Sequence, residues 1–317
     1  MEHRQPNTKI AGIDVGKARL DVAIHGLEDE VAVSNDVAGV GELIAWLKAR
    51  EVGRVGLEAT GGYERGVRQA LEAGGLAVVV HQPLEIRLLA RLKRLRAKND
   101  RIDARLIAAA TAQVDTLRAA QDPRLADLAE QLTAYEQVTD QAAELKTFRE
   151  HLTLPDIVRA IDTQIASLVS LKARLLAKVL AGLKAHADLA QRLRLLSSLP
   201  GFGLVVAASF VIRMPELGAM KKGQPAALVG VAPFDRDSGQ WKGQRFISGG
   251  RDRPRRMLYL AALAAKTHDT GFKAFAQALI DRGKPKKVAI VAVMRKLVEA
   301  ANLILARATP WQTQPAT

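Results

Sequence analysis

The sequence predicts an α/β domain followed by two helical regions. Three observations carry that prediction. The first 118 residues alternate short apolar, β-branched runs with helical spacing. Residues 123 to about 186 hold almost no glycine and no strand pattern. Glycine, proline and basic residues then return at Leu199-Pro200-Gly201-Phe202-Gly203. At 317 residues the chain is long enough for two ordinary domains, or for one domain with a helical extension.

Lys9 to Asp14 reads as a buried strand, and Arg19 to Ile24 as its neighbour after a short Gly-Lys turn. Val31 to Ser34 is a third strand, because a hairpin can follow Gly26. Amphipathic helices over about Val40–Arg50 and Glu64–Ala73 flank the short strand Arg54–Leu57. Ala77–Val80 is the last strand before helical spacing takes over. Three consecutive strands, then strands alternating with helices, make a mixed sheet with helices on its faces. That order, β-β-β-α-β-α-β-α, is the order of an RNase H-like fold, expected over residues 1–120.

In the next region Leu125, Leu128, Leu132 and Tyr135 fall at helical spacing. Ile157, Ile161, Ile165, Leu168, Leu171 and Leu175 mix three- and four-residue steps, as a coiled-coil seam does. Pro155 separates the two segments. A helical hairpin or coiled-coil arm is expected over residues 121–190, serving oligomerisation rather than catalysis. Residues 191–317 are expected to form a mostly α C-terminal domain.

Composition narrows the function. Lys and Arg number 47 against 33 Asp and Glu, a net charge of +14, which favours a polyanionic partner. Nucleic acid is the first candidate and an anionic membrane surface the second. A hydrophobic fraction of 48% excludes disorder as the main state. The absence of cysteine excludes disulfides, Cys-ligated zinc, iron–sulfur clusters and thiol catalysis. The six histidines show no ligand spacing, and aromatics at 4% are too few for an aromatic-driven single-strand binder. No apolar run is long enough to span a bilayer, and the first ten residues lack a signal-peptide core. A soluble cytoplasmic protein associated with the nucleoid is expected, without a membrane partner.

Four carboxylates stand out. Asp14 ends the first strand and Glu58 ends the fourth. Asp100 and Asp103 open a helix at i and i+3, on one helix face. Each alone reads as a strand terminator or as a first-turn carboxylate that complements the helix dipole. Together, on a basic chain, they can supply the oxygen-rich site that Mg²⁺ or Mn²⁺ prefers. Two metals in such a site would clamp the attacking and leaving oxygens of a phosphodiester.

Around the Asp pair, eight basic residues lie between positions 87 and 105: Arg87, Arg91, Lys93, Arg94, Arg96, Lys98, Arg101 and Arg105. Only two acids are interspersed, so pairing within the helix cannot neutralise the run, and phosphate contact is expected. The alternative is a solvated helix face. Leu199-Pro-Gly-Phe-Gly203 matches the turn of a helix-hairpin-helix, in which Gly201 and Gly203 would let backbone N–H groups approach a phosphate. A turn of this kind also occurs for packing alone. Further on, a Gly-rich basic loop carries Ser238, Lys242, Arg245 and Ser248, and leads into Arg251, Arg253, Arg255 and Arg256. On residue types alone, a Ser-Gly in such a loop is a turn.

Asp14 in GIDVGK, Glu58 in LEATGGY, and Asp100 and Asp103 in KNDRIDA resemble the tetrad of DEDD-type insertion-sequence transposases. These have a RuvC-like N-terminal domain and act as bridge-RNA-guided recombinases, with the pilin-inversion recombinase as a relative. The resemblance covers nearly the whole chain. One departure is Asn99, where a threonine is common.

The resemblance implies that Asp14, Glu58, Asp100 and Asp103 hold Mg²⁺ or Mn²⁺ and that Ser238 is the nucleophile, with Ser248 the rival position. It implies a phosphoserine intermediate, strand exchange and religation, and a bridge RNA whose loops pair with target and donor DNA. It further implies a dimer or tetramer in which the serine of one protomer completes the tetrad site of another. A serine hydroxyl needs something to take its proton. The nearest downstream histidine is His268, so carboxylate or metal activation is expected rather than a Ser-His-Asp triad. Two rivals stand beside this reading: a RuvC-like nuclease that hydrolyses branched DNA, and a non-catalytic nucleic-acid-binding protein.

Overall fold

The structure is a computed structural model and describes residues 8–94, 100–115, 122–235, 243 and 245–312, with backbone only at 100 and 101. The chain forms two compact units, Met1–Pro123 and Arg124–Thr317.

In the first unit five strands form one sheet in the order β3-β2-β1-β4-β5. They are β1 Lys9–Val15, β2 Arg19–Ile24, β3 Glu30–Ser34, β4 Val52–Glu58 and β5 Ala77–His81. The first three are joined by hairpins and pair antiparallel. β4 and β5 each follow a helix and pair parallel, as crossover connections require. This topology is compatible with an RNase H-like fold.

Alternation along the strands sorts their side chains. Ile13 of β1, Leu20 and Ile24 of β2, and Leu57 of β4 are buried with Leu43 and Leu47 of α1 (Val37–Ala49) and Leu71 of α2 (Glu64–Ala73). Two expected spans, Arg19–Ile24 and Glu64–Ala73, are the observed ones. Helix α1 begins three residues before the expected Val40, because Asp36 caps it by accepting a 2.8 Å hydrogen bond from the Gly39 N–H. That bond, with others, holds the Asp36 carboxyl below its ordinary value. The opposite face of the sheet receives α4 (Asp100–Ala112). Helix α3 (Pro83–Leu92) packs on α4 through Ile86, Leu106 and Ile107.

The second unit is helical apart from the two-residue strands β6 (Pro233–Phe234) and β7 (Phe246–Ile247). Two long helices, α5 (Pro123–Arg149) and α6 (Pro155–Lys184), come first. The ion pair between Arg149 and Asp162, 2.9 Å, ties the end of one to the start of the other. Helix α5 is buried through Leu125, Leu128, Leu132 and Tyr135, at the predicted spacing. The predicted α6 seam is only half-covered, with Ile157 40% exposed, whereas Val179 and Leu183 near its end are buried.

The rest of the core surrounds α8 (Leu204–Arg213), in which every residue from Val206 to Ile212 is buried. It is built from α7 (Ala187–Ser197), α9 (Gln224–Val229), α10 (Asp252–His268), α11 (Thr270–Asp281) and α12 (Lys286–Arg307). Among the described residues no helix is long and apolar enough to cross a membrane.

Candidate active site

Two glycines determine how the N-terminal carboxylates are arranged. Gly12 of β1 and Gly56 of β4 are register partners, and both face α4. A Cβ on Gly12 would stand well under 3.0 Å from the backbone of Ala104 and Ala108, and one on Gly56 would strike Thr111. Without those side chains the helix lies directly on the sheet. Its direction follows from its contacts. Arg54 donates from Nη1 to the Val114 carbonyl, 2.8 Å, at one end, while Ala104 lies over Gly12 nearer the other. Helix α4 therefore runs antiparallel to β1 and β4, and its first turn lies at their C-terminal ends.

Asp14 follows Gly12 by two residues, and Glu58 follows Gly56 by two. Period-two alternation returns both carboxylates to the face that α4 covers. Asp103 lies in the helix's first turn, one residue before Ala104. Asp14, Glu58 and Asp103 thus share one end of one sheet face. The side chain of Asp100 lies outside the described residues, although its backbone begins the same helix. Among the described residues no three acidic or histidine side chains are grouped closely enough to hold a metal ion. The donor types are all carboxylate oxygen, which suits a hard divalent cation rather than zinc or copper.

Residues that the sequence reading passed over hold the loops of this site. The Asn35 amide donates to the Gly16 carbonyl at 2.9 Å and to the Tyr63 carbonyl at 3.4 Å, bridging the turns that follow Asp14 and Glu58. Glu64 accepts from the N–H groups of Thr60 and Gly62 and from the Thr60 hydroxyl, at 3.2, 2.8 and 2.9 Å. Burial pushes its carboxyl up, but these bonds and its own backbone N–H outweigh that and hold it below its ordinary value.

Beside Glu58 in the sheet stands His81, which is buried. Its Nε2 is 2.9 Å from the Thr111 hydroxyl, which itself donates to the Ile107 carbonyl, so Nε2 is the donor. Burial lowers the His81 pKa, and Glu85, 3.6 Å from Nδ1, opposes that in part. Directly opposite Asp14 in register is Asp21, only 6% exposed, which accepts from Arg19. The signal for Asp21 was present in the sequence: Arg19-Leu20-Asp21 alternates polar, apolar, polar, so both charges share a strand face.

The expected nucleic-acid contacts divide into groups. Arg87 and Arg91 of α3, and Lys93 and Arg94 just after it, are exposed. Arg96, Lys98, Ser238 and Lys242 lie outside the described residues. Arg105, part of the same basic run, pairs instead with Glu28 and Glu30. Arg245 pairs with Asp235 at 2.6 Å, and Ser248 is exposed beside β7.

Acids engage every arginine at the start of α10. Arg251 binds Glu216, Arg253 binds Glu136, and both Arg255 and Arg256 bind Asp252. Gly201 adopts φ +79°, and its Cα rests against the Ala261 carbonyl of α10, where a Cβ has no room. Gly203 caps the exposed start of α8, and nothing stands near where its Cβ would be.

Comparison with known proteins agrees with the family resemblance. Residues 11–155, which run from β1 into α6, match a DEDD transposase family. Residues 193–277, which include both candidate serines, match the transposase IS116/IS110/IS902 family. The chain belongs to the IS110 family of transposases. This IS110 transposase is also 23% identical to the pilin gene-inverting proteins of Moraxella bovis and Moraxella lacunata, over 95% of its own length and 96% of theirs. It is an enzyme, a DNA transposase or recombinase.

Proposed function

We propose that this transposase cuts and rejoins DNA strands through a phosphoserine intermediate, guided by a structured RNA. The first unit serves as a RuvC-like domain. The observation that carries the reading is the glycine-floored sheet face, which brings Asp14 and Glu58 to one end beneath the first turn of α4. Asp14, Glu58, Asp100 and Asp103 would hold Mg²⁺ or Mn²⁺. A divalent cation bound there supplies charge stabilisation for phosphoryl oxygens.

The chain's own residues carry the rest. The Ser238 hydroxyl attacks phosphorus, its O–P bond forming as the bond to a deoxyribose oxygen breaks, and its proton passes to a carboxylate of the tetrad. Rejoining reverses the step: a second strand's hydroxyl displaces Ser238, so no water is consumed. The helices α5 and α6 act as the arm that holds protomers in register, as a dimer or tetramer, letting the serine of one complete the tetrad of another. Arg87, Arg91, Lys93 and Arg94 engage phosphates, and the Gly201–Gly203 turn acts as part of a helix-hairpin-helix. The enzyme works in the cytoplasm on nucleoid DNA.

Ser238→Ala is the test of the covalent step. It is expected to abolish recombination and any denaturation-resistant protein–DNA adduct. A hydrolytic nuclease would keep cutting with this substitution, and that outcome would overturn the covalent step. For RNA guidance, the protein purified without nuclease is expected to carry one structured RNA encoded beside its gene. Heterogeneous cellular RNA, or none, would remove that part of the reading.

A further inference from the structure

The face that carries Asp14 also holds an ion pair to which no part of the proposed reaction has been assigned. In the antiparallel register Asp14 lies directly across from Asp21. Opposed residues point to the same side of a sheet, with Cβ atoms about 5 Å apart. Leu20, Val22 and Ile24 enter the core on the other side, so Asp21 faces α4. Asp21 is 6% exposed. Two carboxylates held opposite each other repel, and a buried one left unpaired is costly.

Arg19, on the same face two residues earlier, answers this charge with a two-pronged contact. Its Nε lies 3.0 Å from one Asp21 oxygen and its Nη2 lies 2.8 Å from the other. A bidentate contact fixes the plane of the guanidinium as well as its position. The Arg19 side chain is nevertheless 60% exposed, while its anchor is buried. Were neutralising Asp21 its whole purpose, a cation sunk beside the carboxylate would serve as well. The arrangement fits a cation fixed from below and presented to solvent beside Asp14.

We propose that Arg19 is a phosphate-contacting residue of the transposase, gripping the strand being cut, and that Asp21 is the positioning residue that aims it. The partner chemistry is a nucleic-acid phosphodiester. The bidentate geometry matters because lysine, a point charge on a flexible stem, cannot be held in the same plane. The proposal rests on the reading of Asp14 as a member of the cutting site.

Full-length protein would be assayed in two ways. Recombination is measured in cells on a plasmid carrying the gene with its natural flanks. Binding is measured to a fluorescein-labelled four-way DNA junction between 50 and 200 mM salt, the range over which counterion release is read. Arg19→Ala is expected to lower recombination about 100-fold, the usual cost of removing one charge-stabilising donor. Its plot of log affinity against log salt should be shallower by about 0.9, the loss of one phosphate contact.

Arg19→Lys should keep the salt slope yet recover only part of the recombination. Asp21→Asn should cost about 10-fold in recombination without weakening junction binding, although it makes the chain more positive. A general electrostatic role for the pair predicts the opposite sign for Asp21→Asn, namely equal or better function. A merely structural role predicts that melting temperature and recombination fall together while the salt slope stays fixed.

An unchanged salt slope in Arg19→Ala, or Asp21→Asn recombining like the wild type, overturns the proposal. If Arg19→Ala does not fold, Arg19→Lys and Asp21→Asn decide, and wild-type recombination by either overturns it. Asp14→Asn separates the two readings. Full recombination by that variant removes the carboxylate site, and the salt slope alone then judges the phosphate contact of Arg19.

Discussion

Two arginine-rich segments, one at the end of α3 and one at the start of α10, look alike in the sequence and differ in the fold. Arg87, Arg91, Lys93 and Arg94 project into solvent, and among the described residues no ion pair reaches them. Arg251, Arg253, Arg255 and Arg256 each have a carboxylate. The acids that reach Arg251 and Arg253 come from 35 and 117 residues away. A local run of charge therefore reports a binding surface only where the fold brings no distant acid to it. The first segment leaves its charge exposed, whereas the second uses much of its own in holding helices together.

The comparison breaks most readily at Glu136. This carboxylate is 9% exposed and accepts from both Arg213 and Arg253, joining α5, α8 and α10. Glu136→Ala leaves Arg213, nearly as buried, without its counter-charge, and about 3 kcal/mol or more of stability should disappear in denaturant unfolding. Arg253→Ala should cost less, because that side chain is half-exposed. No comparable loss is expected at α3, where Arg87→Ala should leave the unfolding curve in place.

Gly201 and Gly203 offer a second contrast inside one turn. Gly201→Ala forces a side chain onto the Ala261 carbonyl at positive φ, and about 2 kcal/mol of destabilisation is expected. Gly203→Ala meets nothing and should unfold almost like the wild type, within about 0.5 kcal/mol. If the start of α8 touches phosphate, the second variant alone changes DNA affinity at constant stability.

A smaller effect is expected in binding. The double substitution Arg87→Ala, Arg91→Ala should make the salt dependence of duplex affinity shallower by about 1.8, at about 0.9 per contact. The pair Arg255→Ala, Arg256→Ala should change it less, since Asp252 already offsets those charges. Equal slopes for the two pairs would erase the distinction between the segments.

The smallest effect concerns the root of α3. His81, two residues before that helix, has its pKa lowered by burial beside Thr111, and Glu85 opposes that shift only in part. The unfolded chain takes up this proton first as pH falls. Stability from neutral His81 is therefore complete above about pH 6.5 and declines as pH falls towards the folded value. Melting at pH 7.5 and 5.5 should differ more for the wild type than for His81→Asn.

Much of the first unit could be read in the sequence because its signals are local. Alternation set the strands, and the glycine two residues before each strand-end acid keeps the same period, so the shared face was already present in Gly12-x-Asp14 and Gly56-x-Glu58. Asp21 and Arg19 follow the same rule but were hidden by reading the strand for its apolar half alone. Asn35 could not be found this way, since its partners, Gly16 and Tyr63, are joined to it only by the fold. The same holds for Glu136. The half-exposed stripe of α6 has the spacing of a seam, and among the described residues nothing covers it fully.

The glycine floor carries one more consequence. Because the backbone of α4 rests on that of β1 at Gly12, and the Thr111 side chain on Gly56 of β4, the separation between the helix and the acids at the strand ends is gauged by the bare glycine main chain. A single methyl group at Gly12 would lift the helix like a shim under a hinge, spreading Asp103 from Asp14 while leaving every charge in the sequence intact. If the four acids are the cutting site, such a copy keeps all of them and is still inert. Intact acids are therefore no guide to which relatives can cut DNA unless the residues beneath them are read as well.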